Sequence, residues 1–426
     1  MNLLTLTVQM ALILAACRVV GSIFLKIGQP RVNGEMVAGI LLGPSLLARL
    51  APHASAYLFP SSGLEFLNAL GQVGVILYMF IVGLTIDAEK QLKGQGKAAI
   101  VGSLVSVAAP MLLAFGLASY LYPRIAHGSV SFTNFALFLG AATSITAFPM
   151  LARIIAERNM MTTQLGAVSI TCAATSGIAA WCILAYIVAM IKATGGTRTV
   201  WLTFAGIIIW AVIMFVAVKP VVSVFDRAFQ KTGSLSDSLF AGMVLLMLVA
   251  GICSGYLGLH PLFGAFLLGV IMPKDNRFTR YVIDRFEAVT LTILLPLYFA
   301  FSGLRTNIGA VQGSDMWIMC LVITLVAIAG KVLFPMLAAW STGMPLRESA
   351  GLGILLNTRG LIALIVFNIG LDMKVITAPV FSMLVVMVLV NTLLTLPMLN
   401  LVCPKKMFEK IPAGGAQQES PVVAVA

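Results

Sequence analysis

Apolar residues in this chain come in long unbroken runs, not in the alternating stripes of a water-soluble fold. Runs of about 20 residues, the length at which a helix crosses a bilayer, recur along nearly the whole sequence. They fall at roughly 3–25, 32–50, 64–86, 98–122, 132–156, 165–191, 199–225, 237–259, 261–273, 290–308, 316–340, 347–371 and 376–402. The ninth is short. In lipid a helix satisfies its own backbone hydrogen bonds, so the pattern predicts an all-α integral membrane protein with about thirteen transmembrane helices. The connections are brief and leave no room for a second domain between spans.

Two runs are interrupted by polar residues and a helix breaker. The first reads Thr143-Ser144-Ile145-Thr146-Ala147-Phe148-Pro149 and the second Asn357-Thr358-Arg359-Gly360. Backbone left unpaired at membrane depth is tolerated only where protein buries it or where it faces a watery cavity. Such a pair, one in each half, points to the substrate site of a secondary transporter. Spans 2–6 match spans 9–13 in layout, with the interruption fourth in each, and the odd separation of seven makes matching helices run in opposite directions. This predicts inverted repeats over roughly 32–191 and 261–402, inside a transmembrane exchanger domain of residues 1–403. Half-helix ends would meet near the midplane, the N-terminal ends carrying positive dipole charge. Residues 404–426 are expected to form a short, disordered cytoplasmic tail.

Composition agrees: 60% of residues are hydrophobic and 10% charged, with a mean hydropathy of +1.03, where a soluble domain carries about 25% charged residues. The net charge of +12 would suit a nucleic-acid binder, but topology accounts for it. With the N-terminus outside and the C-terminus cytoplasmic, 17 of the 27 Lys and Arg lie on the cytoplasmic side and six outside. Four, Arg18, Lys219, Lys331 and Arg359, lie within spans. That is the positive-inside bias of a membrane protein, so no nucleic-acid partner is expected. No targeting extension precedes the first run, which fits a bacterial inner (plasma) membrane and leaves an organelle membrane open. The six cysteines sit in or at the ends of apolar runs and read as core filler. Leu14-Ala15-Ala16-Cys17 has the form of a lipoprotein cleavage box, but no positive charge precedes it, so the segment is kept as the first span.

Ionisable residues inside a bilayer cost about 2.5–3.5 kcal/mol each on insertion scales, which makes Lys331 and Arg359 the strongest candidates for chemistry. Both sit too deep to reach the interface, whereas Arg18 and Lys219 are placed to snorkel. Glu35 and Asp87 lie near cytoplasmic ends, where capping or pairing with basic loops is as good a reading as a place in the ion path. His260 reads as a helix-junction residue. No metal-ligand cluster, nucleophile elbow or phosphate loop appears, so nothing supports enzyme chemistry, a cofactor or a metal centre.

Further segments carry a resemblance. Gly28-Gln29-Pro30-Arg31 is followed by Gly39-Ile40-Leu41-Leu42-Gly43-Pro44. Ser144-Ile145-Thr146-Ala147-Phe148-Pro149-Met150-Leu151-Ala152-Arg153 surrounds the first break. His260-Pro261-Leu262-Phe263-Gly264-Ala265-Phe266 and Leu295-Pro296-Leu297-Tyr298-Phe299-Ala300-Phe301-Ser302-Gly303-Leu304-Arg305 come next, then Lys331 and Asn357-Thr358-Arg359-Gly360-Leu361. In this order they resemble the second branch of the monovalent cation:proton antiporter superfamily, most closely the plant-type cation/proton exchangers, from about residue 28 to residue 400. The resemblance implies the inverted-repeat sodium/proton antiporter fold with two broken crossing helices, a homodimer in the lipid bilayer, and exchange of Na⁺ or K⁺ for protons by alternating access.

The chain departs from that family at the ion site. Aligning Leu165-Gly166 and Ala179-Ala180-Trp181 puts Ser176-Gly177 where the family has Asn-Asp, and residues 165–191 contain no acid. Ala363 stands where Glu is frequent. Thr143, Ser144, Thr146, Ser176, Gly177, Lys331, Asn357 and Arg359 are therefore the expected ion-binding set, in which Ser144, Thr146, Ser176 and backbone carbonyls form a neutral oxygen cage without its carboxylate. Lys331 serves as the proton-linked charge, and Arg359 holds the backbone of the second break. Besides a proton-coupled cation exchanger with this degenerate site, two readings stay open. One is a transporter repurposed for an anion or neutral solute, to which two positive groups and two helix N-termini are suited. The other is a transport-inactive membrane sensor or subunit.

Overall fold

The computed structural model describes residues 3–85, 97–125, 130–158, 160, 163–192, 205–206, 208–257 and 259–404. Asp87, the first part of the 199–225 run and residues 405–426 of the expected tail lie outside the described residues. Among those described, regular structure is entirely helical. Nine helices among the described residues are long and apolar enough to cross a membrane: Leu3–Lys26, Gly63–Thr85, Lys97–Ile125, Gln164–Val188, Ile208–Thr232, Asp237–Tyr256, Asn276–Ala310, Gly313–Ser341 and Ala378–Val402. The remaining four runs fall on shorter helices. Arg31–Leu42 and Leu262–Ile271 account for two of them. The second run does not continue as one helix to residue 50. It stops at Gly43-Pro44, where proline disfavours helix at the residue before it, and resumes as the four-residue helix Leu47–Leu50.

The other two of these four runs break where the sequence says they should. Phe132–Ser144 ends before Ile145-Thr146-Ala147, and Phe148–Glu157 begins after it. Leu346–Leu356 ends at Asn357, and Leu361–Asp372 starts after Gly360, whose φ of 176° and ψ of −145° are fully extended.

Three long helices contain a π-helical turn: Met214–Val218, Thr290–Leu294 and Ala329–Leu333. In each, a proline stands two residues after the turn, at Pro220, Pro296 and Pro335. Proline has no N–H to give the carbonyl four residues back and its ring crowds that carbonyl. The preceding turn opens to the wider π geometry instead of breaking. Proline alone is not sufficient, since Pro110 and Pro397 sit inside helices that stay α.

The chain divides into two compact units. The first takes in the described residues from 3 to 71, from 97 to 180 and from 295 to 404 and contains both broken helices. Its helices approach closely at glycine: a Cβ on Gly39 would overlap the backbone of Ala300, one on Gly303 that of Gly39, and one on Gly330 would press on Pro110. Small residues at such crossings are how helices pack where lipid offers no hydrophobic drive. The second unit takes in the described residues from 72 to 85 and from 181 to 294. Gly83 and Gly269 meet face to face there. The ammonium of Lys274 caps both helix ends, donating to the carbonyls of Gly83 (2.9 Å), Leu84 (3.1 Å) and Gly269 (2.8 Å).

Candidate functional site

The two breaks meet inside the first unit. A helix that stops in apolar surroundings leaves carbonyls and N–H groups unpaired at its end, and here each break supplies what the other lacks. The N–H of Ala147 donates to the carbonyl of Thr358 at 2.9 Å, and the hydroxyl of Thr146 donates to the carbonyl of Leu356 at 2.9 Å. Arg359 reaches across the crossing, its Nη1 donating to the carbonyls of Ile145 (2.9 Å) and Ala142 (3.3 Å). The arginine thus secures the first break, and not the backbone of the second as expected from its position in the sequence. The orphaned acceptors at the end of Phe132–Ser144 are what attract it. Its own carbonyl accepts from the hydroxyl of Thr392 at 3.1 Å.

Lys331 enters from the π turn. It is fully buried, and its Nζ donates to Thr146 Oγ1 at 2.9 Å. Gly353 seats Leu346–Leu356 directly on this turn, where any Cβ would collide with the carbonyl of Val332. Arg359 and Cys172 are within electrostatic reach of the ammonium. Among the described residues neither Lys331 nor Arg359 pairs with a carboxylate; the ion pairs Arg31–Glu35 (3.2 Å) and Arg305–Asp372 (2.7 Å) lie elsewhere.

The other candidates divide. Lys331 is bonded to Thr146 and Arg359 to the carbonyl of neighbouring Ile145, and Asn357 stands in the second break with both amide atoms buried and unpartnered. Nε and Nη2 of Arg359 are likewise buried without a partner. Thr143 and Ser144 are buried, but their hydroxyls donate back along their own helix, to Leu139 (2.8 Å) and Ala141 (3.1 Å). Ser176 does the same toward Ala173 at 3.0 Å, and no hydrogen bond joins it to the crossing. It lies one helical turn after Cys172, so the two share a face. Gly177 is buried, yet a Cβ there would meet no atom within 4 Å. Arg18 and Lys219 are exposed, and Glu35 pairs with Arg31 one turn earlier on its own helix.

This geometry of two interrupted helices holding each other's loose ends around a buried lysine can be compared with known proteins. Residues 11–401 match the family model described as sodium/hydrogen exchanger, transmembrane. The chain belongs to the sodium/hydrogen exchanger family. It is 36% identical over 404 residues to the Na(+)/H(+) antiporter NhaS4 of Synechocystis sp. (strain ATCC 27184 / PCC 6803 / Kazusa), covering 95% of this chain and 98% of that one. Identity is 35% over 390 residues to cation/H(+) antiporter 18 of Arabidopsis thaliana, covering 91% of this chain and 48% of the relative. It is 30% over 407 residues to K(+)/H(+) antiporter 1 of Saccharomyces cerevisiae (strain ATCC 204508 / S288c), covering 93% and 46%. The exchanger chain described here thus spans nearly all of the cyanobacterial relative and less than half of the plant and yeast ones. In fold it is similar to the sodium proton antiporter MjNhaP1 from Methanocaldococcus jannaschii at pH 8, with a TM-score of 0.61, 16% identity, and coverage of 96% and 99%.

Within the exchanger site, sequence reasoning missed Thr392, Gly353 and Pro335. Asn391-Thr392 is a polar pair inside an apolar run and was a readable signal. Pro335, four residues after Lys331, was another. Gly353 carried none, since its role depends on what packs against it.

Proposed function

We propose that this chain exchanges a monovalent cation, Na⁺ or K⁺, for protons by alternating access, and that the crossing of the two broken helices is its ion site. The observation that carries the reading is the hydrogen bond from Lys331 to Thr146. The oxygen that holds the ammonium is one of the few side-chain oxygens a dehydrated cation could use at the crossing. Two unit charges about 4 Å apart in a protein repel strongly, by roughly 4 kcal/mol at an effective dielectric constant of 20. A bound cation and a protonated Lys331 therefore exclude one another. Release of the Lys331 proton to water frees Thr146 Oγ1 for the cation, and return of the proton expels it. Thr143, Ser144, Ser176 and the Asn357 amide supply further neutral oxygens. In this reading the lysine performs, by its own protonation, the competition that the family's aspartate performs elsewhere. The protein works as a homodimer in a bacterial plasma membrane, N-terminus outside and C-terminus cytoplasmic.

A second reading has its own support. Arg359 Nε and Nη2 and Asn357 Nδ2 are buried donors without acceptors, next to the N-terminus of Leu361–Asp372. That combination suits an anion.

One experiment separates them: dissipation of a pH gradient in proteoliposomes carrying wild type or Lys331→Ala, with Na⁺, K⁺, Li⁺ and a panel of small anions. A cation-dependent signal abolished by Lys331→Ala supports cation exchange. A response to anions alone replaces it with the second reading. Silence with every ion sinks both.

A further inference from the structure

The second half of the second broken helix, Leu361–Asp372, is not steered by its own backbone. Extended Gly360 severs it from Leu346–Leu356, so side-chain contacts must decide where it points. Phe138 packs on Gly370, and a buried polar network grips the outer end. Asn368 is 1% exposed. Its Nδ2 lies within donating distance of Ser302 Oγ (2.7 Å), the Leu364 carbonyl (3.0 Å) and Tyr298 Oη (3.2 Å). Its Oδ1 accepts from Arg305 Nη1 at 3.1 Å. The other arm of that guanidinium pairs with Asp372, one turn further along the same helix, at 2.7 Å.

The partner helix Leu295–Leu304 is itself fixed. Gly303 is locked against Gly39, the Thr306 carbonyl accepts from Ser45 Oγ at 2.8 Å, and the N–H of Asn307 donates to Ser382 Oγ at 3.1 Å. A fully bonded polar network inside a protein is stiff. It therefore references the half-helix to a rigid frame. Seven residues, about 10 Å of helix, separate Asn368 from Leu361 and the crossing, so a tilt at the anchor is carried to Arg359.

We propose that Asn368 and Arg305 are positioning residues for exchange: they set the angle of the second half-helix and so the place of its N-terminus and of Arg359 at the crossing. The inference rests on the crossing being the ion site. Neither residue touches the ion; both act through the half-helix.

The test measures cation-dependent proton exchange in proteoliposomes for wild type, Asn368→Ala, Arg305→Lys, Arg305→Asp, Asp372→Arg and the double exchange Arg305→Asp/Asp372→Arg. Asn368→Ala is expected to raise the cation KM about tenfold, the effect of one lost buried hydrogen bond, with the maximal rate within about threefold. Arg305→Lys, which replaces the planar two-armed fork with a single nitrogen, shifts KM in the same direction, and the double exchange recovers at least half of what either single change loses. Folded variants with an unchanged KM, or a loss confined to protein yield with no rescue by the double exchange, overturn the proposal. Should Asn368→Ala not fold, Arg305→Lys decides alone, its side chain being 22% exposed. A wild type silent toward cations overturns the ion-site reading itself, and is seen before any variant is made.

Discussion

Lys331 donates its buried ammonium to Thr146, 185 residues away, at 2.9 Å. This bond joins the π turn of one helix to the break of another and makes Thr146 the only bonded oxygen, among those described, on which the lysine rests. Thr146→Val removes the acceptor and the donor to Leu356 together while keeping the shape of the side chain. Losing the acceptor of a buried charged donor costs about 1.5–3 kcal/mol, so exchange should fall at least tenfold, measured as initial rate of pH-gradient dissipation. Thr146→Ser keeps both bonds and should retain most of the rate. Thr143→Val, whose hydroxyl bonds only its own helix, should lose far less than Thr146→Val.

Gly177 offers the reverse experiment. A side chain added there meets open space, so Gly177→Asp should fold. A carboxylate on that face supplies the negative charge that the crossing lacks among the described residues. Lower KM for Na⁺ or K⁺ than wild type is the expected result, read from cation titrations of exchange rate. An unchanged cation response would place Gly177 away from the ion path.

Pro335 decides which way Lys331 faces. Pro335→Ala restores the missing N–H, so Ala329–Leu333 is free to tighten from π to α geometry. Losing one residue from the turn rotates the helix before it by about 100° relative to Phe334–Ser341. Lys331 and Thr146 would then part. Exchange should be lost although thermal stability in detergent is kept or raised, because an α turn is intrinsically better bonded. A parallel change, Gly353→Val, collides with the Val332 carbonyl and should cost both exchange and stability.

Asp275 lies in the connection before Asn276–Val289 and caps that helix, accepting from the N–H of Arg277 (2.7 Å) and Phe278 (3.3 Å). Slight burial pushes its carboxyl pKa up. The two N–H groups and the amide of Gln230 outweigh this and hold it below its ordinary value. A carboxylate lowered on folding stabilises above its unfolded pKa of about 3.9 and loses that contribution as pH falls through the folded value. Asp275→Ala should lower Tm at pH 7 by an amount matching a cap worth about 0.5–2 kcal/mol, toward the low end because the group is solvent-screened. The difference from wild type should shrink as the pH drops below about 4.

Some of the site was readable because it is written locally. Thr143–Pro149 and Asn357–Gly360 stand out as breaks, since polar residues with proline or glycine inside apolar runs disrupt a helix whatever surrounds them. Lys331 was visible for the same reason: a charge in a long apolar run is conspicuous in one dimension. The short helix Arg31–Leu42 was overextended, as apolarity alone does not register that Gly43-Pro44 stops a helix even when leucines come after it. Ser176 entered the set by analogy of position, and its hydroxyl donates within its own helix, to Ala173.

The sequence by itself determined the membrane class, the helical segments and the two interruptions, because lipid allows backbone polar groups no partner outside a helix or a buried break. Tertiary structure alone decided that Arg359 secures the opposite break, that Lys331 rests on Thr146, and that Asn368 anchors the half-helix to Leu295–Leu304. Those pairings join residues up to 217 positions apart, and their geometry depends on π turns and glycine contacts that fix helix rotation to a fraction of a turn. Hydropathy has no information at that scale; packing does.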